Sequence, residues 1–183
     1  MGFDPGFASS AFGVVKREGN RLYLLDRALI KTKPDAPDAV RTTAIFRAVQ
    51  APILKFHPTV IGIEDQIQVA AAAQMRAKAP HKKGDKGAYG FNIGNFDVIA
   101  IVGVIQGCAL AYGVRYKMLN SQAIKRAVLG KGGGSGDKSQ MIAAIKAIFP
   151  ELNEPGVKLS EHEADALAIA ILALRVDLIG EAP

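Results

Sequence analysis

The chain has 183 residues, 49% of them hydrophobic and 22% charged, with a formal net charge of +6. A chain of this length suits one domain that buries roughly 70% of its unfolded surface, and the composition is that of an ordered globular protein. No apolar run reaches the roughly 18 residues of a membrane span, and the start MGFDPG has neither the basic stretch nor the apolar core of a signal peptide. In chain order, residues 12–15 and 22–30 read as strands joined by the turn Glu18-Gly19-Asn20. With a short strand at the very start they predict a three-stranded antiparallel meander. After KTKPDAPDAV, Asp38 is placed to cap a helix whose apolar residues are Val40, Ala44, Ile45, Ala48, Val49 and Ile53, ending near His57-Pro58.

A buried strand over residues 60–63 closes at Glu64, and a helix from Ile67 to Pro80 leads into a Gly/Lys-rich loop. A long apolar helix over residues 93–112 precedes a strand at Arg115–Leu119. Asn120-Ser121 caps a short helix that runs into GKGGGSG, Asp137 opens another helix that stops at Phe149-Pro150, and Ser160 with Glu163 three residues later form the capping box of the last helix. These elements predict an α/β domain spanning the whole chain, with helices against a mixed sheet. Cys108 lies among apolar neighbours and reads as core filler; a lone cysteine makes no internal disulfide and suits a reducing cytoplasm.

The positive charge is concentrated. Residues 76–95 carry Arg76, Lys78, Lys82, Lys83 and Lys86 against Asp85, and residues 121–140 carry Lys125, Arg126, Lys131 and Lys138 against Asp137. These windows hold +4 and +3, so the remainder of the chain is nearly neutral. Either alone could be a solvated loop; together they suit a polyanion.

Acidic residues fall where elements start or stop. Asp4 precedes the turn Pro5-Gly6, which would leave its carboxylate facing outward, and Glu64 ends Val60-Ile61-Gly62-Ile63. His162 and Asp165 stand three apart at the start of the last helix, on one face. If the strands ending at Asp4 and Glu64 are parallel neighbours, their carboxylates converge at the carboxyl edge of the sheet, where α/β folds build sites. Such a cluster suits phosphodiester hydrolysis, in which two divalent ions about 3.5–4 Å apart activate water and hold the leaving oxygen. Hard ions of the Mg²⁺ type want carboxylate oxygens. Singly, each residue has an ordinary structural explanation: a turn, an ion pair, dipole compensation or a cap.

In combination they resemble the RuvC family of the RNase H-like superfamily. GFDPGFASSAFGVV, IGIEDQ and HEADALAIAI are similar to its acidic motifs, and SQAIKRAVLG with GDKSQMI to a stretch bearing two functional lysines, here Lys125 and Lys138. The similarity runs in order from Gly2 to about Ile171. It implies a mixed five-stranded sheet, three antiparallel strands followed by parallel ones, flanked by helices. It also implies a Mg²⁺-dependent endodeoxyribonuclease, with Mn²⁺ as substitute, that resolves Holliday junctions as a homodimer in the cytoplasm of a bacterial or phage-infected cell. Asp4, Glu64, His162 and Asp165 would hold metal, Lys138 would act in catalysis, and the two basic windows, with Tyr89 and Phe91, would bind DNA.

Three departures stand out. His162 occupies a position commonly held by aspartate, which leaves Glu161 or Glu163 as alternatives. Ile67 replaces an aromatic residue, so Tyr89, Phe91 or Phe96 are the candidates for stacking on an opened junction. The basic segment 77–89 is extended, as in phage-type relatives, which predicts weak sequence preference. Two rivals share the pattern, a ribonuclease H acting on hybrids and a non-catalytic branched-DNA-binding module. A sugar kinase of the actin type needs two domains. GGGSGDKS is no phosphate loop, because Asp137 separates Gly136 from Lys138.

Overall fold

The computed structural model describes residues 1–65, 94–130 and 138–179. The expected helix after Ile67, the Gly/Lys-rich loop, the Gly-rich connector and Asp137 lie outside the described residues. Strands β1 (Gly2–Asp4), β2 (Ser9–Glu18) and β3 (Arg21–Lys31) form the antiparallel meander, and β4 (Val60–Glu64) and β5 (Arg115–Leu119) add in parallel. The sheet order is β3-β2-β1-β4-β5. Helices α1 (Asp38–Phe56) and α2 (Gly94–Ala111) pack on one face through Ile45, Val49, Ile53, Ile101 and Ile105. On the other face lie α3 (Ser121–Leu129), α4 (Lys138–Ile148) and α5 (Glu161–Ile179), with a short 3-10 turn at Pro150–Asn153. Three helices follow β5 among the described residues, as the expected elements lay out.

Side chains alternate across a strand, and the register shows what this does here. Gly2 stands opposite Gly13 on β2 and Gly62 on β4, so one cross-strand row presents three glycines to the same face. That face carries α5, whose Ala164, Ala166, Ala168, Ala170 and Ala173 are fully buried. Small residues on both surfaces let the helix lie almost on the sheet backbone. The same row ends in two cations: Arg27, opposite Gly13, and Lys117, opposite Gly62. Arg27 bonds Glu163 in the first turn of α5, and Lys117 Nζ donates to Val176 O near its last turn at 3.1 Å. The final carbonyls of a helix favour a cation, and α5 is thus fixed at both ends.

Two local expectations need correction. Val40 is 58% exposed, because α1 turns Ile45, Val49, Pro52 and Ile53 inward and leaves its first turns in solvent. Asp38 is the first residue within α1 rather than its cap, and no side chain caps that end. The preceding Pro37 occupies the cap position, and Asp38 instead faces Arg41 at 3.9 Å. Cys108 is a buried free thiol, and burial pushes its pKa up.

Candidate active site

The carboxylate row lies one pleat above the glycine row. Phe3 pairs with Ile63 and both enter the core, so Asp4 and Glu64, the next residues on adjacent parallel strands, emerge together on the α5 face. The capping box forms as expected. Ser160 N donates to Glu163 Oε2 at 2.9 Å, and Glu163 N donates to Ser160 Oγ at 3.3 Å. This entry angle carries His162 and Asp165 to the carboxyl edge, where His162 Nδ1 lies 2.7 Å from Asp4 Oδ2.

The electrostatics show the same convergence. Asp165 has its pKa raised from 3.8 to about 6, first by burial and then by the charges of Asp4 and Glu64; His162 and Lys125 act in the opposite direction. His162 is raised chiefly by its bond to Asp4, against an opposing effect of burial. Lys138 Nζ donates to Glu161 Oε2 at 2.5 Å, an exposed pair linking the starts of α4 and α5. Arg126 is exposed, with Nε donating to Gln122 O at 3.3 Å.

Asp4 does not face outward. It is only 8% exposed, because α5 folds over the end of β1, a long-range effect that the local Asp-Pro-Gly turn does not reveal. Of the two alternatives to His162, Glu163 is committed to Arg27 and Ser160, and Glu161 to Lys138; His162 is the side chain joined to Asp4. Arg76, Lys78, Lys82, Lys83, Lys86, Tyr89, Phe91 and Lys131 lie outside the described residues, as does the side chain of Phe96.

The sequence pattern did not single out three supports of this edge. Arg27 anchors both Glu163 and, through Nη2 at 2.8 Å, Lys158 O. Arg41 lies over the Phe7 ring at 3.6 Å and donates to Thr32 Oγ1, which bonds Phe7 O at 2.5 Å, holding the turn that follows Asp4. Ser121 donates to Glu64 Oε1. Of these only Ser121 fell within a motif, as the first residue of SQAIKRAVLG and half of the expected Asn120-Ser121 cap, and its bond to Glu64 was not signalled there.

Among the described residues, no three His, Cys, Asp or Glu side chains stand close enough to enclose one ion by themselves. A closed protein cage is therefore not what this edge offers. Mg²⁺-type ions instead take one or two carboxylates, keep several waters and complete their shell with phosphate oxygens. An open edge bearing three carboxylates and an imidazole fits that chemistry, and the burial and neighbouring negative charges that raise Asp165 mark a place suited to added positive charge.

A 3-2-1-4-5 mixed sheet, with acids ending its first and fourth strands and beginning its last helix, defines an RNase H-like nuclease. The family model for "Crossover junction endodeoxyribonuclease RuvC" matches residues 1–83. The RuvC of Ruminiclostridium cellulolyticum is 30% identical over 171 residues, 93% of this chain and 88% of that protein. That of Syntrophotalea carbinolica is 29% identical, covering 93% and 90%. Thermus thermophilus RuvC shares the fold at a TM-score of 0.70 and 24% identity, over 98% of this chain and 95% of that one. Its complex with Holliday junction substrate gives 0.74 and 23%, over 98% and 94%. The chain belongs to the RuvC family of crossover junction endodeoxyribonucleases.

Proposed function

We propose that the protein resolves Holliday junctions, and other branched DNA, by divalent-metal-dependent symmetric nicking as a homodimer. The observation that supports this best is the meeting of Asp4, Glu64, His162 and Asp165 on the α5 side of the sheet edge. The carboxylates of Asp4, Glu64 and Asp165, with His162, would hold Mg²⁺, or Mn²⁺ in its place. Bound there, the ion supplies an activated water and stabilises charge on the phosphate. Asp4 holds the His162 ring through Nδ1 and, without metal, stabilises its protonated form; the other ring nitrogen must lose its proton before it can serve as a ligand. Lys125 reduces the repulsion among the acids. Lys138 exchanges Glu161 for a phosphate oxygen; an exposed pair of this kind is worth at most about 1 kcal/mol, so the exchange is easy.

Arg126, Lys131 and the basic residues Arg76, Lys78, Lys82, Lys83 and Lys86 add sequence-independent phosphate affinity, and Tyr89 and Phe91 supply stacking. The substrate and the cytoplasmic setting follow the RuvC proteins the chain resembles, one of which is seen with Holliday junction DNA. For the dimer, support comes from α2, where Ala100, Gly103, Gly107 and the 66% exposed Leu110 form an apolar strip on its outer side. A two-fold axis through the protein would match that of the junction.

The deciding experiment incubates the pure protein with a synthetic four-way junction, a fork, plain duplex and an RNA–DNA hybrid, with and without Mg²⁺. Paired, symmetric nicks in the junction that require the metal support the proposal. Preferential cutting of the hybrid, or junction binding with no cleavage at any metal concentration, overturns it.

A further inference from the structure

We propose that Ser121 is a positioning residue for Glu64, an inference that rests on the metal-binding reading above. β4 and β5 end in register, Glu64 opposite Leu119, and Asp65 N donates to Leu119 O at 2.9 Å. The chain leaves β5 through Asn120 and enters α3 at once, so the start of that helix falls beside the Glu64 carboxylate. Ser121, half-buried, donates its hydroxyl to Glu64 Oε1.

That hydroxyl is not needed to start the helix. Asn120 is the cap, and its side chain accepts from Gln122 N at 2.9 Å. A glutamate has three rotatable bonds and is a loose ligand unless a second group fixes its carboxylate, and partners behind a ligand tune metal affinity strongly. The positive end of the α3 dipole reinforces the contact. One turn along the same face, Lys125 acts on Asp165. α3 therefore sets the Ser121 hydroxyl against one carboxylate of the cluster, with the positive charge of Lys125 one turn further along.

The test is calorimetric titration of the full-length protein with Mn²⁺ alone, beside metal-free melting curves, for wild type, Ser121→Ala, Ser121→Thr and Glu64→Gln. Ser121→Ala should weaken Mn²⁺ binding by about 10- to 100-fold at an unchanged metal-free melting temperature, and Ser121→Thr, which keeps the hydroxyl, should restore it. Wild-type affinity in Ser121→Ala while Glu64→Gln binds weakly overturns the positioning role alone, as does a threonine that fails to rescue. Wild-type affinity in Glu64→Gln overturns the metal-binding reading itself.

Discussion

The contact between α5 and the glycine row leaves no room for a side chain at Gly2, and Gly2→Ala tests it. A Cβ at Gly2 would fall within 3.0 Å of Ala166 O and Ala170 N, and 2.9 Å from Ala170 Cα. Carbon atoms pack best at roughly 3.5–4.0 Å, so clearing Ala170 Cα alone requires α5 to retreat by at least about 0.6 Å, and the two nearer backbone atoms require more. The obstacles are backbone atoms, which no rotamer change removes, placing the cost near the upper end of ordinary overpacking, about 3 kcal/mol. Reduced chain entropy in the unfolded state returns only about 0.5–1 kcal/mol. A net loss of about 2–2.5 kcal/mol lowers the melting temperature by roughly 4–10 °C in a chain of this size.

The same retreat moves His162 and Asp165 away from Asp4 and Glu64. A displacement near 1 Å costs on the order of 100-fold in rate, so cleavage should fall far more than the folded fraction does. The assay pairs metal-free calorimetric melting with single-turnover junction cleavage below the transition. Gly13→Ala is the control: its Cβ would meet the Leu167 side chain at 2.6 Å, which can rotate, although Leu167 N stands at 3.1 Å. It should lose less in both assays. Wild-type melting and cleavage in Gly2→Ala, or losses no greater than those of Gly13→Ala, would refute the reasoning.

Asp4→Asn should abolish cleavage while keeping, or improving, junction affinity in a gel-shift assay, since it removes negative charge from the edge that would receive phosphate; undiminished turnover would contradict its role. Lys138→Ala should slow single-turnover cutting more than it weakens binding, and equal losses would mark it as a docking residue instead. The metal-free protein should respond to pH through Asp165 and His162, both of which hold protons more tightly when folded. For Asp165 this stabilisation is complete below an unfolded pKa of about 3.9 and is lost as pH rises through about 6. In melting curves with chelator, Asp165→Asn should therefore gain on wild type as pH rises across that window, and a constant difference would deny the crowding. His162 extends the loss to pH values above its ordinary range.

The acidic ends were legible because strand termination and helix capping are local. Val60-Ile61-Gly62-Ile63-Glu64 announces its own end, and Ser160 with Glu163 forms the capping box that it spells. The exposure of Asp4 was misjudged for the complementary reason: its burial comes from a helix more than 150 positions away in the chain. Gly2, Gly13 and Gly62 each read as turn or strand glycines, and only the β1–β2 and β1–β4 registers join them into one surface. Arg27 lies in a strand whose alternation says nothing of Glu163, yet the two side chains pair across 136 positions of the chain.

Stability and activity therefore meet in one element. Burying the Asp165 carboxylate beside those of Asp4 and Glu64 opposes folding where it is ionised, as its raised pKa shows, so the fold must impose the cluster from elsewhere. It does so with α5. Its alanines press on a glycine surface that tolerates no displacement, and cations from the same cross-strand row hold its two ends. Because those contacts are backbone-to-backbone and buried, the acids cannot relax apart without unpacking the helix. Divalent cation, by removing the repulsion, should then stabilise the protein as well as activate it. The gain should be largest above pH 6, where Asp165 is ionised, and smallest in Asp165→Asn; a metal-induced rise in melting temperature that ignores both pH and that substitution would place the ion elsewhere.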